Sequence, residues 1–175
     1  MKHVLSVSIL ACVMIVLSAC ATGTEDDLGS TSQALTGWHD LSQSARNQAI
    51  VDETAYWDDG DWGDQCKVWV QTIVNDASGI SGLIPTNNGT CYWNYGSYVV
   101  GRSAYIHTAL PGEIIQMTLN GGGPHTAIVI ANGPSSITFR ESNWCSGNCE
   151  LVGTRTVSHS TFYSQVSCYT IYYVL

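Results

Sequence analysis

One apolar stripe constrains this chain more than any other feature. Within Gly63-Asp64-Gln65-Cys66-Lys67-Val68-Trp69-Val70-Gln71-Thr72-Ile73-Val74-Asn75, the residues Cys66, Trp69, Val70, Ile73, Val74 and then Ala77 recur at the spacing of a single helix face. A helix with so apolar a face must be covered by another layer of structure. Gly63 and Asp64 stand where a turn and an N-cap belong, and Gly79 stands where a C′ glycine ends a helix. Cys66 therefore falls in the first turn, on the inward face. The free N–H groups and the helix dipole at that point favour thiolate over thiol.

The C-terminal half supplies strands to meet that helix. Pro111-Gly112 opens Glu113 to Leu119, and the loop Asn120-Gly121-Gly122-Gly123-Pro124 leads to His125 at the head of Thr126 to Ala131. The turn formers Asn132-Gly133-Pro134-Ser135-Ser136 then pass the chain into Ile137 to Trp144, which reads as a hairpin. Further strands are expected near Leu151 to Val157 and Cys168 to Val174, with Phe162 and Tyr163 in the link between them. Ahead of the stripe, Leu41 to Tyr56 reads as another helix. Residues 79 to 111 read as long turns carrying Cys91, Tyr92, Trp93, Tyr95 and Tyr98, aromatics that either line a groove or seal a small core. Within them, Asn88-Gly89-Thr90 matches a glycosylation sequon. The expected class is α+β, with N-terminal helices packed on an antiparallel sheet.

The hairpin also brings chemistry together. Alternation along Ile137 to Trp144 places Ile137, Phe139, Glu141 and Asn143 on one face. If Ala131 lies opposite Ile137, His125 lies opposite Asn143 and Ala127 opposite Glu141, so an imidazole, a carboxylate and a carboxamide share one end of the hairpin. A one-residue slip would part them. With Cys66 packed against that end, thiolate attack on a carbonyl has a base in His125 and orienting partners for the imidazole in Glu141 and Asn143. The Cys66 backbone N–H and the Gln65 side chain are candidate oxyanion donors.

Cysteine parity supports a free thiol at Cys66. Val4 to Leu17 is an apolar run too short to span a bilayer, and it ends in Leu17-Ser18-Ala19-Cys20. The run resembles a bacterial lipoprotein signal over residues 1–19, with Cys20 as the lipid-bearing residue. The alternative is an ordinary secretory signal; both imply export to the cell envelope. Residues 20–36 are small, polar and acidic, and read as a flexible tether before a single domain over residues 37–175. Once the signal with Cys12 is gone and Cys20 is lipidated, Cys66, Cys91, Cys145, Cys149 and Cys168 remain, an odd number. Exported chains tend to pair their thiols, so Cys66 is the natural odd one. The three connectivities among the other four stay open. Zinc at Cys145, Cys149 and a histidine such as His159 is a poorer reading, because that spacing lacks the usual tight pairs.

Charge narrows the partners. The whole chain carries −8, and losing Lys2 with the signal makes it −9. That argues against nucleic acid. The acids concentrate in Asp52 to Asp64. There Asp58, Asp59, Asp61 and Asp64 either form a solvated turn or hold a calcium ion, a hard cation that takes several oxygen ligands.

Gln65-Cys66-Lys67-Val68-Trp69-Val70, Pro124-His125-Thr126-Ala127-Ile128-Val129 and Ile137 to Trp144 resemble, in order, the three signatures of the CHAP domain family. This family is one of the NlpC/P60-like, papain-fold cysteine amidohydrolases and peptidases. Gly112-Glu113-Ile114-Ile115 resembles the strand that precedes the family's histidine, so the likeness spans roughly Trp62 to Trp144. The resemblance implies a papain-like fold. It also implies a nucleophile at Cys66, a general base at His125, and orienting roles for Glu141 and Asn143. The implied substrate is peptidoglycan, cut as an amidase or endopeptidase would cut it. Calcium just ahead of the cysteine is known in some members and is the one cofactor suggested; none is required. Two positions depart from the pattern. Pro124 replaces a glycine, and Lys67 follows the cysteine, where it either lowers the thiol pKa or faces solvent. No separate wall-binding module is expected, which leaves targeting to the lipid on Cys20. The rival class is a surface-displayed binding domain that keeps the fold without turnover.

Overall fold

The computed structural model describes residues 37–84, 91, 96–144 and 149–175. The signal segment, Cys20, the tether, the sequon, Tyr92, Trp93, Tyr95 and Cys145 lie outside the described residues.

Both expected helices form. Helix α1 runs over Gln43–Thr54, capped where the Ser42 side chain accepts from the Ala45 N–H. Helix α2, Cys66–Ser78, is the apolar stripe, and it ends where Gly79 takes the left-handed conformation at φ 67°. Its N-cap is Gln65, one residue later than expected. Asp64 instead sits at φ 62° and accepts from the Gln65 N–H through Oδ1. The delay leaves Cys66 as the first helical residue, whose N–H has no carbonyl one turn back within the helix.

Six strands form one antiparallel sheet: β1 Val99–Arg102, β2 Ile114–Leu119, β3 Pro124–Asn132, β4 Ser136–Ser142, β5 Val152–Ser158 and β6 Val166–Val174. Their spatial order is β1-β6-β2-β3-β4-β5. A third helix, α3 over His159–Gln165, occupies the link that carries Phe162 and Tyr163. The architecture is thus α+β. One face of the sheet, with Ile114, Ile128, Val152, Tyr172 and Val174, buries Trp69, Val70, Ile73 and Val74 of α2 and Ile50 of α1. The other face, with Ile115, Met117, Ala127, Val129 and Phe139, is covered by Phe162. Fully burying each such side chain contributes roughly 1.5–3 kcal/mol, so the two-sided core explains why β2 and β3 read as nearly continuous apolar runs.

The hairpin register differs from expectation at its turn. Asn132, not Ala131, lies opposite Ile137, and Ala131 lies opposite Thr138. A bulge between Val129 and Ala131 then takes up one residue, so that Val129 faces Phe139 and Ile128 faces Arg140. That is the register first expected for this end. Two one-residue offsets cancel, and the chemistry at the far end survives.

The start of α2 is tied to that end of the sheet. The Gly63 N–H donates to the Glu150 carbonyl, the Val152 N–H to the Asp61 carbonyl, and the Ser142 hydroxyl to the Asp64 carbonyl at 2.6 Å. Contact is so close at Gly63 that an added Cβ would lie 2.6 Å from Val152 Cγ2 and 2.7 Å from Ser142 Oγ. Cys91 and Cys168 form a disulfide, joining the long turn to β6. Cys149 is also disulfide-bonded, and its remaining candidate partner, Cys145, lies outside the described residues. Gly63→Ala should cost about 1–3 kcal/mol through overpacking. Urea denaturation of wild type and variant checks this, and an unchanged midpoint would show that the contact yields freely.

Candidate active site

Three elements place the reacting groups. Helix α2 presents Cys66 at its first residue, half-buried and the one free cysteine among the described residues. Strand β3 presents His125 and Thr126, and β4 presents Glu141, which is 1% exposed. His125 Nε2 lies 3.0 Å from Glu141 Oε2. That contact occupies one ring nitrogen and leaves Nδ1 for the sulfur.

The electrostatics follow from that arrangement. Burial pushes the Cys66 thiol pKa up, but hydrogen bonding and charge from His125, aided by the Thr126 N–H, outweigh it, and the net shift is downward. Burial alone would strip His125 of its proton. The hydrogen bonds and charges of Cys66 and Glu141 prevail and raise its pKa to about 9. Glu141 is buried too, yet His125 and then Arg155 hold it below the usual carboxylate range. The shifts favour the thiolate–imidazolium form of the Cys66–His125 pair over the neutral one and keep Glu141 a carboxylate. Such a set can attack a carbonyl with Cys66 and hand a proton to a leaving group from His125.

The other expected residues sit nearby in different roles. Asn143, expected to orient the imidazole with Glu141, instead donates from Nδ2 to Gln65 Oε1 at 2.8 Å. Gln65 Nε2 in turn donates to Glu150 Oε1. Gln65 is thus pinned at both ends beside the thiol, and serving as an oxyanion donor would require it to leave Glu150. Lys67 does not face solvent. It is buried, and burial lowers its pKa to about 7, opposed by the charge of Cys66.

The acidic turn does not gather its carboxylates. Asp59 pairs with Arg140, whose guanidinium also donates to the Trp57 carbonyl and to Thr154 Oγ1. Asp61 Oδ2 accepts from the Asp58 N–H at 2.7 Å, and Asp64 caps the Gln65 N–H. Among the described residues no group of three or more His, Cys, Asp or Glu side chains could hold a metal ion. As placed, Asp58, Asp59, Asp61 and Asp64 do not fit a calcium cage; assembling one would take Asp59 from Arg140.

Two residues of the site escaped the sequence reading as contributors. Arg155 grips both oxygens of Glu141, with Nε 2.5 Å from Oε1 and Nη2 3.1 Å from Oε2. Trp144, known there only as the end of a motif, stacks on Arg155 at 3.6 Å and meets the His125 ring edge-on at 4.9 Å. Extending the strand register by one strand would have found Arg155, because β5 sets it opposite Phe139, two residues before Glu141.

No family model matches the chain, and no curated protein matches it. Among solved structures the chain is similar to the crystal structure of Ly7917, at 15% identity and a TM-score of 0.45. It is similar also to Ly7917 with the hydrolyzing product of MDP, at 15% identity and a TM-score of 0.46. Each match covers 75% of this chain and 62% of the other, so the chain spans less than two thirds of the length of these neighbours.

Iodoacetamide should alkylate Cys66 alone in the unreduced domain, with a pH–rate inflection below the value of about 8.5 for a free thiol. In His125→Ala, burial acts with less opposition and the inflection should move upward. Peptide mapping of alkylation across pH checks both; an inflection unmoved by the substitution would show that His125 does not set the thiol's ionisation.

Proposed function

We propose that the chain is an exported cysteine hydrolase of the CHAP type, with a papain-like fold, that cleaves amide bonds of peptidoglycan as an amidase or endopeptidase. The observation that carries this reading is the series of half-buried Cys66, buried His125 and buried Glu141, with His125 Nε2 3.0 Å from Glu141 Oε2 and each group favouring the charged form of the next. The choice of peptidoglycan comes from the motif resemblance. Placement in the cell envelope, held by a lipid on Cys20 or released, comes from the N-terminal signal.

In the proposed reaction the Cys66 thiolate attacks the scissile carbonyl carbon, and its oxygen takes up the negative charge. The N–H of Cys66, at the start of α2 and aligned with the helix dipole, is the donor best placed for that oxyanion. As the C–N bond breaks, the His125 imidazolium gives its Nδ1 proton to the leaving nitrogen, and a thioester remains. The now neutral imidazole takes a proton from water, whose oxygen attacks the thioester. The thiolate leaves, the carboxylic acid product departs, and the imidazolium is restored. Glu141 stays ionised throughout and holds the ring. Activity should require a pH above the lowered Cys66 pKa and should fall as His125 loses its proton near about 9.

The test is a peptidoglycan digest with the wild-type domain and Cys66→Ala, each with calcium and with chelator. Wild type should release soluble muropeptides or free glycan and peptide, and Cys66→Ala should lose about 10³-fold or more of that rate. Equal release by both proteins, or release by neither, would overturn the hydrolase reading on this substrate and leave the binding-domain alternative. Wild-type release should persist in chelator, because Asp59 is engaged by Arg140.

A further inference from the structure

The catalytic reading above leaves Arg155 without a task, although its surroundings are as constrained as those of the histidine. Its guanidinium forms a two-point pair with Glu141, lies 3.6 Å over the Trp144 ring and 5.1 Å from the centre of Phe139, and reaches Gln165 Oε1 at 3.5 Å. Trp144 closes the circuit by packing edge-on against His125. His125, Glu141, Arg155 and Trp144 thus form a ring in which every member touches the next. A single hydrogen bond would let the Glu141 carboxylate rotate, whereas a planar fork on both oxygens fixes its plane.

We infer that Arg155 is a positioning residue for the hydrolase: it locks the plane of Glu141, through it the orientation of His125, and tempers the charge that Glu141 presents to the ring. The inference rests on Cys66 and His125 being the reacting pair, but not on the identity of the substrate. The charged groups that face the imidazole are Cys66 from α2, with Lys67 beside it, Glu141 from β4 and, through Glu141, Arg155 from β5. On the β2 side its neighbour is Met117, which is apolar. Without Arg155, Glu141 would have His125 as its remaining cationic partner and would hold the imidazolium more tightly. A ring that surrenders its proton late is a poor acid for a leaving amine. Arg155 therefore both orients the ring and keeps its proton transferable.

The test reads the His125 ring directly, by NMR titration of its carbon-bound protons in wild type, Arg155→Met and Arg155→Lys. Peptidoglycan turnover is measured alongside. In Arg155→Met the His125 midpoint should rise by on the order of tenfold in proton affinity. Arg155→Lys keeps the charge but not the fork, so its midpoint should stay near wild type while kcat falls up to about a hundredfold at similar KM. If Arg155→Met does not fold, Arg155→Gln makes the same comparison. An unmoved midpoint in the uncharged variant, or a shift just as large in Arg155→Lys, would overturn the electrostatic role. An unchanged kcat in Arg155→Lys would overturn the orienting role. The titration needs no substrate, so failure of the peptidoglycan reading and failure of this inference remain distinguishable.

Discussion

The Glu141 carboxylate is the interaction on which the site depends. A carboxylate placed 1% exposed beneath a sheet face would ordinarily take up a proton, because desolvating an isolated charge costs several kcal/mol. Here it meets two cationic partners, His125 Nε2 on one oxygen and the Arg155 fork on both. Its charge, kept at that cost, raises the proton affinity of the imidazole, and the imidazolium in turn lowers that of the Cys66 thiol. Remove the charge from Glu141, and burial pushes both His125 and Cys66 back toward their neutral forms.

The scaffold fixes these groups from two sides. Helix α2 lies on one face of the sheet, while Glu141, Arg155 and the Phe162 cluster belong to the other. The thiol meets its partner at the sheet's end, where His125 is the second residue of β3. Among the described residues, three that are not glycine hold positive φ values around that end: Asp64 at 62°, Asn143 at 61° and Glu150 at 38°. Such conformations cost on the order of 1–3 kcal/mol each and persist where surrounding contacts over-determine them. The contacts are present: the Ser142 hydroxyl on the Asp64 carbonyl, and Asn143 and Glu150 on the two ends of Gln65. The strain delays the start of α2 by one residue and so puts Cys66, rather than Gln65, first in the helix.

Much of this was legible in the chain because period and punctuation agree with tertiary structure. The α2 stripe, its glycine stop and the β3–β4 hairpin follow from residue order alone. The register of the hairpin was legible for a partly accidental reason. Its turn is one residue tighter than expected, and a bulge near Ile130 compensates, a feature that no local pattern encodes. Strand β1, Val-Val-Gly-Arg, is too short and too glycine-bearing to stand out. Helix α3, His-Ser-Thr-Phe-Tyr-Ser-Gln, has poor intrinsic propensity and forms because Ser158 caps it and Phe162 is buried beneath it. The role of Arg155 depends on the pairing of β5 with β4, and Gln65, Asn143 and Glu150 meet only through loop geometry. Such contacts are properties of the assembled end of the sheet, not of any one segment.

The most direct measurement of the account is infrared difference spectroscopy of Glu141, wild type minus Glu141→Gln, followed across pH in the resting domain. The account predicts the paired bands of an ionised carboxylate throughout the neutral range, giving way to a protonated carbonyl stretch only below the usual glutamate range. A protonated carbonyl band at neutral pH would mean that Glu141 carries no charge to pass to His125, and the ordering of the site described here would be wrong.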